Sequence, residues 1–197
     1  MTSPTTLPVL PFKDVGAFEK WLAGHGADDA GVWVKFAKKA SGITSISQQE
    51  AIDVALCHGW IDGQMDKFDS EFFLIRFTPR RSRSKWSKVN CERVLALIDE
   101  GRMTGRGLAE IERAKADGRW DAAYDPPSKA TVPDDLKEAL SRQSEAEALF
   151  AKLDSQNRYA ILHRIHDAKK PETRAARIVK YVEMLARGET PYPRKKA

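Results

Sequence analysis

Hydrophobic positions in the first part of the chain follow first a helical and then a strand spacing. Residues 17–23 carry apolar side chains three and four positions apart, which predicts a short helix. Residues 31–39 alternate apolar and polar side chains, which predicts a half-buried strand. The residues that define the two patterns are Phe18, Trp21, Leu22, Val32, Val34 and Phe36. The first dozen residues contain three prolines and are predicted to form an extended arm.

The next segments predict a buried helix, a β-hairpin and two more helices. Ser47 and Glu50 have the spacing of a capping box, and the residues after them are apolar on almost every side of a helix. The runs 60–68 and 71–80 predict two strands joined at Asp69-Ser70. Two further helices are predicted, one that Ser87 caps and that runs to Asp99, and one over 104–116.

After a proline-rich linker at 124–133, the pattern is helical. The predicted helix starts are Pro133, Ser144 (in a second capping box with Glu147), Ser155 and Pro171. The predicted fold class is therefore α+β: a small mixed N-terminal part, with a β-hairpin packed on helices, is followed by an all-helical C-terminal part. The predicted domains are a mixed one over 1–125 and a helical one over 133–197.

Charge and cysteine usage narrow the class of protein. The formal net charge is +5, and it is uneven: residues 1–70 carry −3, 71–125 carry +3 and 126–197 carry +5. Such an excess of cations favours an anionic partner. Cys57 and Cys91 do not make the disulfide framework of a small secreted protein. The sequence has no signal peptide and no stretch near the roughly 18 apolar residues of a membrane span, so we expect a cytoplasmic protein.

The most distinctive chemical feature is a basic segment, RFTPRRSRSKWSK at 76–88, which holds six basic residues and no acidic one. Guanidinium groups match the oxygens of phosphate and carboxylate, and an indole can stack on a nucleobase. The segment also leads into a predicted helix start, where free backbone N–H groups favour anions. The candidate ligand-binding residues are Trp60, Asp62, Arg76, Arg80, Arg81, Lys85, Trp86 and Lys88. The alternative is a solvated basic loop that protects a sheet edge.

Asp62 is the one candidate catalytic residue. Trp60 and Asp62 point to the same side of the first hairpin strand. We expect the hairpin to place Asp62 opposite Arg76 or a neighbour, where it acts as a general acid or base or orients an arginine. The alternative is a cross-strand ion pair beside a core tryptophan.

The cysteines and histidines predict neither a nucleophile nor a metal site. Cys57 and His58 are adjacent on a helix and point about 100° apart, so they do not form a nucleophile and base pair. His58 lies on the apolar side of its helix, as a core histidine does. His163 and His166 are three apart but have no third ligand at a recognised spacing. No cofactor is predicted.

Four long runs resemble the YdeI/OmpD-associated (OmdA) family, also called bacteriocin-protection proteins. The runs are ALCHGWIDG (55–63), RFTPRRSRSKWSKVN (76–90), GRMTGRGLAEIERAKADGRWDAAY (101–124) and SQNRYAILHRIHDAKKPETRAARIVKYVEMLARG (155–188). With the N-terminal helix and strand they cover nearly the whole chain. The resemblance implies a bacterial protein linked to antimicrobial resistance or to an outer-membrane porin, and it brings no catalytic residues. It also leads us to expect phenylalanine at position 58, where this chain has histidine.

Three functional hypotheses follow. The first is a stress- or resistance-associated protein that binds an anionic ligand, a phosphorylated metabolite or a nucleic acid, through the basic segment. The second is an enzyme that uses Asp62 and an arginine clamp on a small anionic substrate, which requires a pocket beside Asp62. The third is a helical protein-interaction module over 133–188. The sequence leaves the oligomeric state open.

Overall fold

The computed structural model describes residues 7–193, and the chain divides into two compact units, the first ending at Ala123 and the second beginning at Tyr124. The predicted α+β class is confirmed, since the first unit contains a sheet and helices and the second contains helices. The predicted domain bounds, 1–125 and 133–197, stay a prediction. None of the helices in the described part of the chain has the length and apolar character needed to span a membrane.

Unit 1 contains a four-stranded sheet with the order β1-β2-β4-β3, in which β1 and β2 are parallel and the other pairs are antiparallel. Its strands are β1 (Val9–Pro11), β2 (Val32–Ala37), β3 (Trp60–Lys67) and β4 (Phe72–Pro79). Its helices are α1 (Val15–Ala23), α2 (Gln48–Cys57), α3 (Lys88–Asp99) and α4 (Gly105–Ala116), with one 3₁₀ turn at Lys39–Ser41. The predicted N-terminal arm therefore includes a strand, while its residues 1–6 lie outside the described residues.

One face of the sheet forms the main core of unit 1. Val32, Val34 and Phe36 alternate along β2 and are almost fully buried against α1 and α2, as their spacing predicts. The other face carries the intervening residues, including Trp33 opposite Arg76 on β4. The core therefore lies between the sheet and the two helices, and Trp60 at the start of β3 and Phe77 near the end of β4 belong to it.

Helix caps and an ion pair fix α2 and α3. The Ser47 side chain accepts from the Glu50 N–H while the Glu50 carboxylate accepts from the Ser47 N–H, which confirms the first capping box. Ser87 caps α3 as predicted. Asp53 is buried on α2 and accepts two hydrogen bonds from Arg93 on α3, so a bidentate pair joins the two helices.

Helix α4 begins against the end of α2. The carbonyl of Cys57 accepts hydrogen bonds from the Thr104 N–H at 3.1 Å and from the Thr104 hydroxyl at 2.7 Å. Gly107 allows this approach, because a Cβ at that position would lie 2.3 Å from the same carbonyl oxygen. The residue that turns α2 into β3, Gly59, has φ +74°, a left-handed conformation that favours glycine.

Unit 2 contains α5 (Asp134–Ser141), α6 (Ser144–Ala151), α7 (Ser155–His166) and α8 (Pro171–Ala186). The helices α6, α7 and α8 begin at Ser144, Ser155 and Pro171 as predicted, but three assignments of N-terminal positions are wrong by one residue. Pro133 is the N-cap of α5 and not its first residue. Gln143 occupies the N-cap of α6, so Ser144 and Glu147 do not form a capping box. Asp154 caps α7 in place of Ser155, because its carboxylate accepts from the backbone N–H of Asn157 at 2.7 Å.

Arginines of α8 bind the end of α7. Arg174 donates to the Ile165 carbonyl at 3.1 Å and holds Asp135 of α5 through two further hydrogen bonds of 2.6 and 2.9 Å. Arg177 donates to the Arg164 carbonyl. These groups satisfy carbonyls that a helix C-terminus leaves without an intrahelical partner. The unit 2 core consists of buried apolar side chains from all four helices.

Candidate functional site

The basic segment forms the end of β4, a loop over 80–87 and the start of α3. Arg80 and Trp86 are 3% and 2% exposed, and the Arg80 guanidinium lies 3.6 Å from the centre of the Trp86 ring. Arg80 also donates to the Lys85 carbonyl at 3.2 Å. Trp86 is therefore buried beneath Arg80 and is not available to stack on a ligand, which corrects its predicted role. The pair anchors the loop to the core of unit 1.

A tight turn between the two anchors holds the middle of the loop. The Arg81 N–H donates to the Ser84 hydroxyl and the Ser84 N–H donates to the Arg81 carbonyl, each at 2.9 Å. Arg119 donates to the Ser84 carbonyl at 2.8 Å. The backbone of this basic loop is thus fixed by hydrogen bonds on both sides of residues 82 and 83.

The loop presents its cations to solvent. Arg81 and Arg83 are exposed on the turn, and Arg76 is exposed on the outer face of β4. Lys85 and Lys88 are exposed as well. Within residues 7–193, no carboxylate forms an ion pair with Arg76, Arg81 or Arg83. The exposed guanidinium groups are therefore chemically open to an external anion.

Asp62 lies on the core-facing side of β3, with Trp60, but it is paired with Phe77 and not with Arg76. Phe77 is the neighbour of Arg76, so the register agrees with the expected placement opposite Arg76 or a neighbour, but residue 76 itself points to the other face of the sheet. Burial raises the pKa of the Asp62 carboxyl, and its own backbone N–H and the positive charge of Arg80 partly oppose that shift. Asp62 is therefore a half-buried carboxyl influenced by a buried arginine.

A small cleft lies where β3 and β4 meet α4. We call it the His58 cleft; it has a volume of about 110 Å³. Its lining residues are Ala27, His58, Gly59, Trp60, Pro79, Arg80, Arg106, Ala109 and Glu110. Of the residues predicted from sequence, it brings together Trp60 and Arg80, whereas Asp62 and Trp86 are not among its lining residues.

Two polar residues of the His58 cleft were not predicted from the sequence. Arg106 and Glu110 lie on α4, far along the chain from His58, and no short-range spacing connects them. Arg106 donates to the carbonyls of His25 at 2.7 Å and Ala23 at 2.9 Å, so it caps the end of α1. His58 was predicted as a core histidine, and it is buried as expected. The one sequence signal near the cleft is Gly59, where a Cβ would lie 3.0 Å from Cγ of Glu110 and 3.2 Å from the Arg106 carbonyl oxygen.

The buried thiols are shifted towards their protonated form, and His163 of α7 packs against aromatic rings. Burial raises the pKa of both the Cys57 and the Cys91 thiol to about 11, so both are protonated at neutral pH. No group of three or more potential metal ligands occurs among the described side chains. In unit 2, His163 packs on the rings of Tyr124 and Tyr159, with centroids 5.0 and 5.5 Å away.

A separate cleft of about 110 Å³ in unit 2 is lined by residues that the sequence analysis did not select as a site. Among them are Tyr159, His163, His166 and Arg174. The Tyr159 hydroxyl donates to the Asp125 carbonyl at 3.0 Å, and Arg174 is held by Asp135 and Ile165. Tyr159 therefore joins the segment that precedes α5 to helix α7, and Arg174 joins α8 to α5 and to the end of α7.

Comparison with known proteins divides the chain in a similar way. Residues 10–110 match the family model described as Domain of unknown function (DUF8412). Residues 129–188 match the model described as Bacteriocin-protection, YdeI or OmpD-Associated. No curated protein and no solved structure matches the chain. The resemblance to the YdeI/OmpD-associated family is confirmed, and the matched range lies in the helical unit. Because residues 10–110 make up just over half of the sequence, the chain belongs to the DUF8412 family and carries a YdeI/OmpD-associated domain in unit 2.

Proposed function

We propose that unit 1 binds a phosphate-bearing anion through the exposed arginines of the basic segment. The observation that carries the proposal is a loop with a fixed backbone that presents Arg81 and Arg83 to solvent, close in sequence to Arg76 and without an ion-paired carboxylate. Guanidinium groups donate two parallel hydrogen bonds to phosphate oxygens, which gives both affinity and orientation.

The Arg80–Trp86 pair that anchors the loop favours binding, because it reduces the conformational entropy that the loop loses when it binds a ligand. A flexible basic loop loses conformational freedom when it binds, and that loss weakens binding. Here the Arg80–Trp86 stack and the Ser84 hydrogen bonds already order the backbone before any ligand arrives. Arg80 and Trp86 thus support the site from beneath, while the ligand contacts come from their exposed neighbours.

A role in resistance to antimicrobial peptides is part of the proposal. It rests on the description of the family matched by unit 2, which concerns bacteriocin protection. The basic segment does not attract cationic peptides, because like charges repel. An anionic cellular ligand is therefore the partner that its charge favours.

Binding of a fluorescent single-stranded oligonucleotide and of pyrophosphate to the full chain tests the proposal. We expect Arg81→Gln/Arg83→Gln to weaken binding at least ten-fold. For an oligonucleotide, the slope of log K against log salt should also fall by about 1.4, roughly 0.7 for each lost phosphate contact on a single strand. The matched control is Arg142→Gln/Arg187→Gln, which removes the same charge from exposed positions in unit 2. Equal losses in both double variants, or binding that does not depend on salt, would contradict a site at this loop.

The enzymatic alternative for Asp62 is the weaker one, because Asp62 does not line the His58 cleft and only the raised pKa of its half-buried carboxyl favours it. It predicts that Asp62→Asn abolishes hydrolysis of a phosphate ester while leaving anion affinity unchanged. If the unmodified chain shows no turnover across phosphate esters, the enzymatic reading is refuted and the binding function is unaffected.

A further inference from the structure

Hydrogen bonds between neighbouring helices and strands hold the walls of the His58 cleft in place. Arg106 ties α4 to the end of α1 through two carbonyls, and the Cys57 carbonyl ties the start of α4 to the end of α2. The Arg80 N–H donates to the Gly59 carbonyl at 2.9 Å, which joins the end of β4 to the turn before β3. A cavity with such a frame is formed before any ligand binds.

Two side chains that line the cleft have buried polar atoms without hydrogen-bond partners in the described chain. Both ring nitrogens of His58, which is 6% exposed, are in this state, and so is Oε2 of Glu110. More than nine in ten buried polar groups in proteins are paired. Because these atoms belong to neighbours around one cavity, the contents of the cavity are the natural source of their partners.

The cleft is lined by charges of both signs, the guanidinium groups of Arg80 and Arg106 and the carboxylate of Glu110. Glu110 accepts from Arg113 through its other oxygen, and Arg106 is bound to the two α1 carbonyls. His58 Nε2 lies 3.9 Å from the half-exposed Glu19 carboxylate. Burial lowers the pKa of His58, so the ring is neutral at pH 7 and offers one N–H and one acceptor nitrogen. An anionic guest would face the Glu110 carboxylate and a cationic guest would face the Arg80 and Arg106 guanidinium groups, whereas a neutral guest meets neither repulsion.

Size limits the guest to a few atoms. The volume of about 110 Å³ is smaller than the 150 Å³ apolar cavity known to take up benzene, a molecule of six heavy atoms. A carboxamide has four heavy atoms with its methyl group. It offers N–H donors to a carboxylate oxygen and a carbonyl acceptor to a ring N–H. Trp60, Pro79 and Ala109 supply apolar walls for its carbon atoms.

We propose that the His58 cleft binds a small uncharged primary carboxamide, or the carboxamide end of a larger ligand. Its amide N–H donates to Glu110 and its carbonyl accepts from His58. This site is distinct in its chemistry from the basic loop, since it selects a neutral group where the loop selects an anion.

Nuclear magnetic resonance titration of the full chain with acetamide tests this site. We expect saturable shifts at the backbone amides of Gly59 and Ala109 and at the indole N–H of Trp60. Acetate and methylammonium, which have similar size and carry opposite charges, should bind at least ten-fold more weakly. Glu110→Gln places an amide NH₂ where the carboxylate accepts, and it should weaken acetamide binding at least ten-fold. Glu112→Gln, an exposed position on the same helix, is the matched control and should leave binding unchanged.

His58→Phe provides a second test, because it keeps the ring and removes both nitrogens. It should abolish the saturable shifts, while Glu110→Gln keeps the test valid if this variant does not fold. Shifts that do not saturate would show that the cleft holds only water and would overturn the proposal. Equal binding of acetate, or an unchanged affinity in Glu110→Gln, would overturn it as well. Failure of anion binding at the basic loop would leave this inference intact.

Discussion

A methyl group added at Gly107 would collide with the backbone of helix α2. A Cβ there would lie 2.3 Å from the Cys57 carbonyl oxygen, 2.9 Å from its carbon and 2.7 Å from Cε of Met103. The methionine end can move away, but the carbonyl is backbone and already accepts two hydrogen bonds from Thr104. Gly107→Ala must therefore push α4 away from α2.

The magnitude follows from three contributions to the free energy of unfolding. Overpacking costs about 1–3 kcal/mol. Weakening the two Thr104 hydrogen bonds costs about 1 kcal/mol each. The better helix propensity of alanine returns about 1 kcal/mol. We expect Gly107→Ala to lower the stability of unit 1 by about 2–4 kcal/mol.

Gly105→Ala is the matched control, because it lies two residues earlier in the same helix and its Cβ would meet nothing within 4 Å. It should be neutral or stabilise by up to about 1 kcal/mol. Guanidinium unfolding followed by tryptophan fluorescence is the assay. All five tryptophans lie at or before Trp120, so the signal reports unit 1. A Gly107→Ala stability within about 0.5 kcal/mol of that of Gly105→Ala, the usual scatter for a harmless surface change, would refute the close approach.

Three more predictions concern titration, reactivity and helix capping. Asp62→Asn should stabilise unit 1 at pH 7, because burial raises the pKa of the native carboxyl above its ordinary value of 3.8 and so disfavours its ionised form. The gain in the free energy of unfolding should shrink as the pH falls to 3.8, and unfolding experiments at several pH values measure it. At pH 8, Cys57 and Cys91 should react with a thiol reagent at least about 100-fold more slowly in the native chain than in the unfolded chain. The reason is that a pKa of about 11 in place of 9.0 lowers the thiolate fraction by that factor. Equal reaction rates in the native and unfolded chains would show that the thiols are accessible. Arg174→Ala should destabilise unit 2 by about 1–2 kcal/mol, measured by unfolding followed with circular dichroism, because it removes the hydrogen bonds to Asp135 and Ile165. The control Arg142→Ala loses one exposed ion pair and should change the free energy of unfolding by under about 0.5 kcal/mol. Equal effects of the two arginine substitutions would argue against the capping role.

Local patterns predicted what depends on local physics. The Ser47 capping box and the hairpin at Asp69-Ser70 follow from residues within a few positions of each other, and both are present. Strand β1 escaped prediction because three residues that include a proline acquire strand geometry only by pairing with β2, more than twenty positions later. The capping role of Asp154 was missed because two residues suited to capping stand side by side, and the stronger acceptor takes the position.

The contacts of the candidate site join residues that are far apart along the chain, so sequence patterns predicted them less well than they predicted the helices and strands. Trp86 stands among cations in the sequence, but the fold buries it, and its neighbour Arg80 covers the ring. Glu110 reaches the cleft because α4 returns to the end of α2 about fifty residues later, and only the tertiary fold determines that return. Charge composition therefore located the basic segment, whereas the division between anchors and exposed contacts required the structure.

The arginines that α8 extends to α7 have a consequence for synthesis on the ribosome. When α7 emerges, the guanidinium groups that bind the carbonyls of Ile165 and Arg164 have not yet been made, because they follow with Arg174 and Arg177; among the described residues, the Ile165 carbonyl has only the Ala168 N–H as a donor until then. Helix α8 ends twenty residues after α7, which is roughly 1–4 s of translation at about 5–20 residues per second. During that interval the nascent helical unit exposes apolar faces, so a chaperone that binds such faces has its opportunity there.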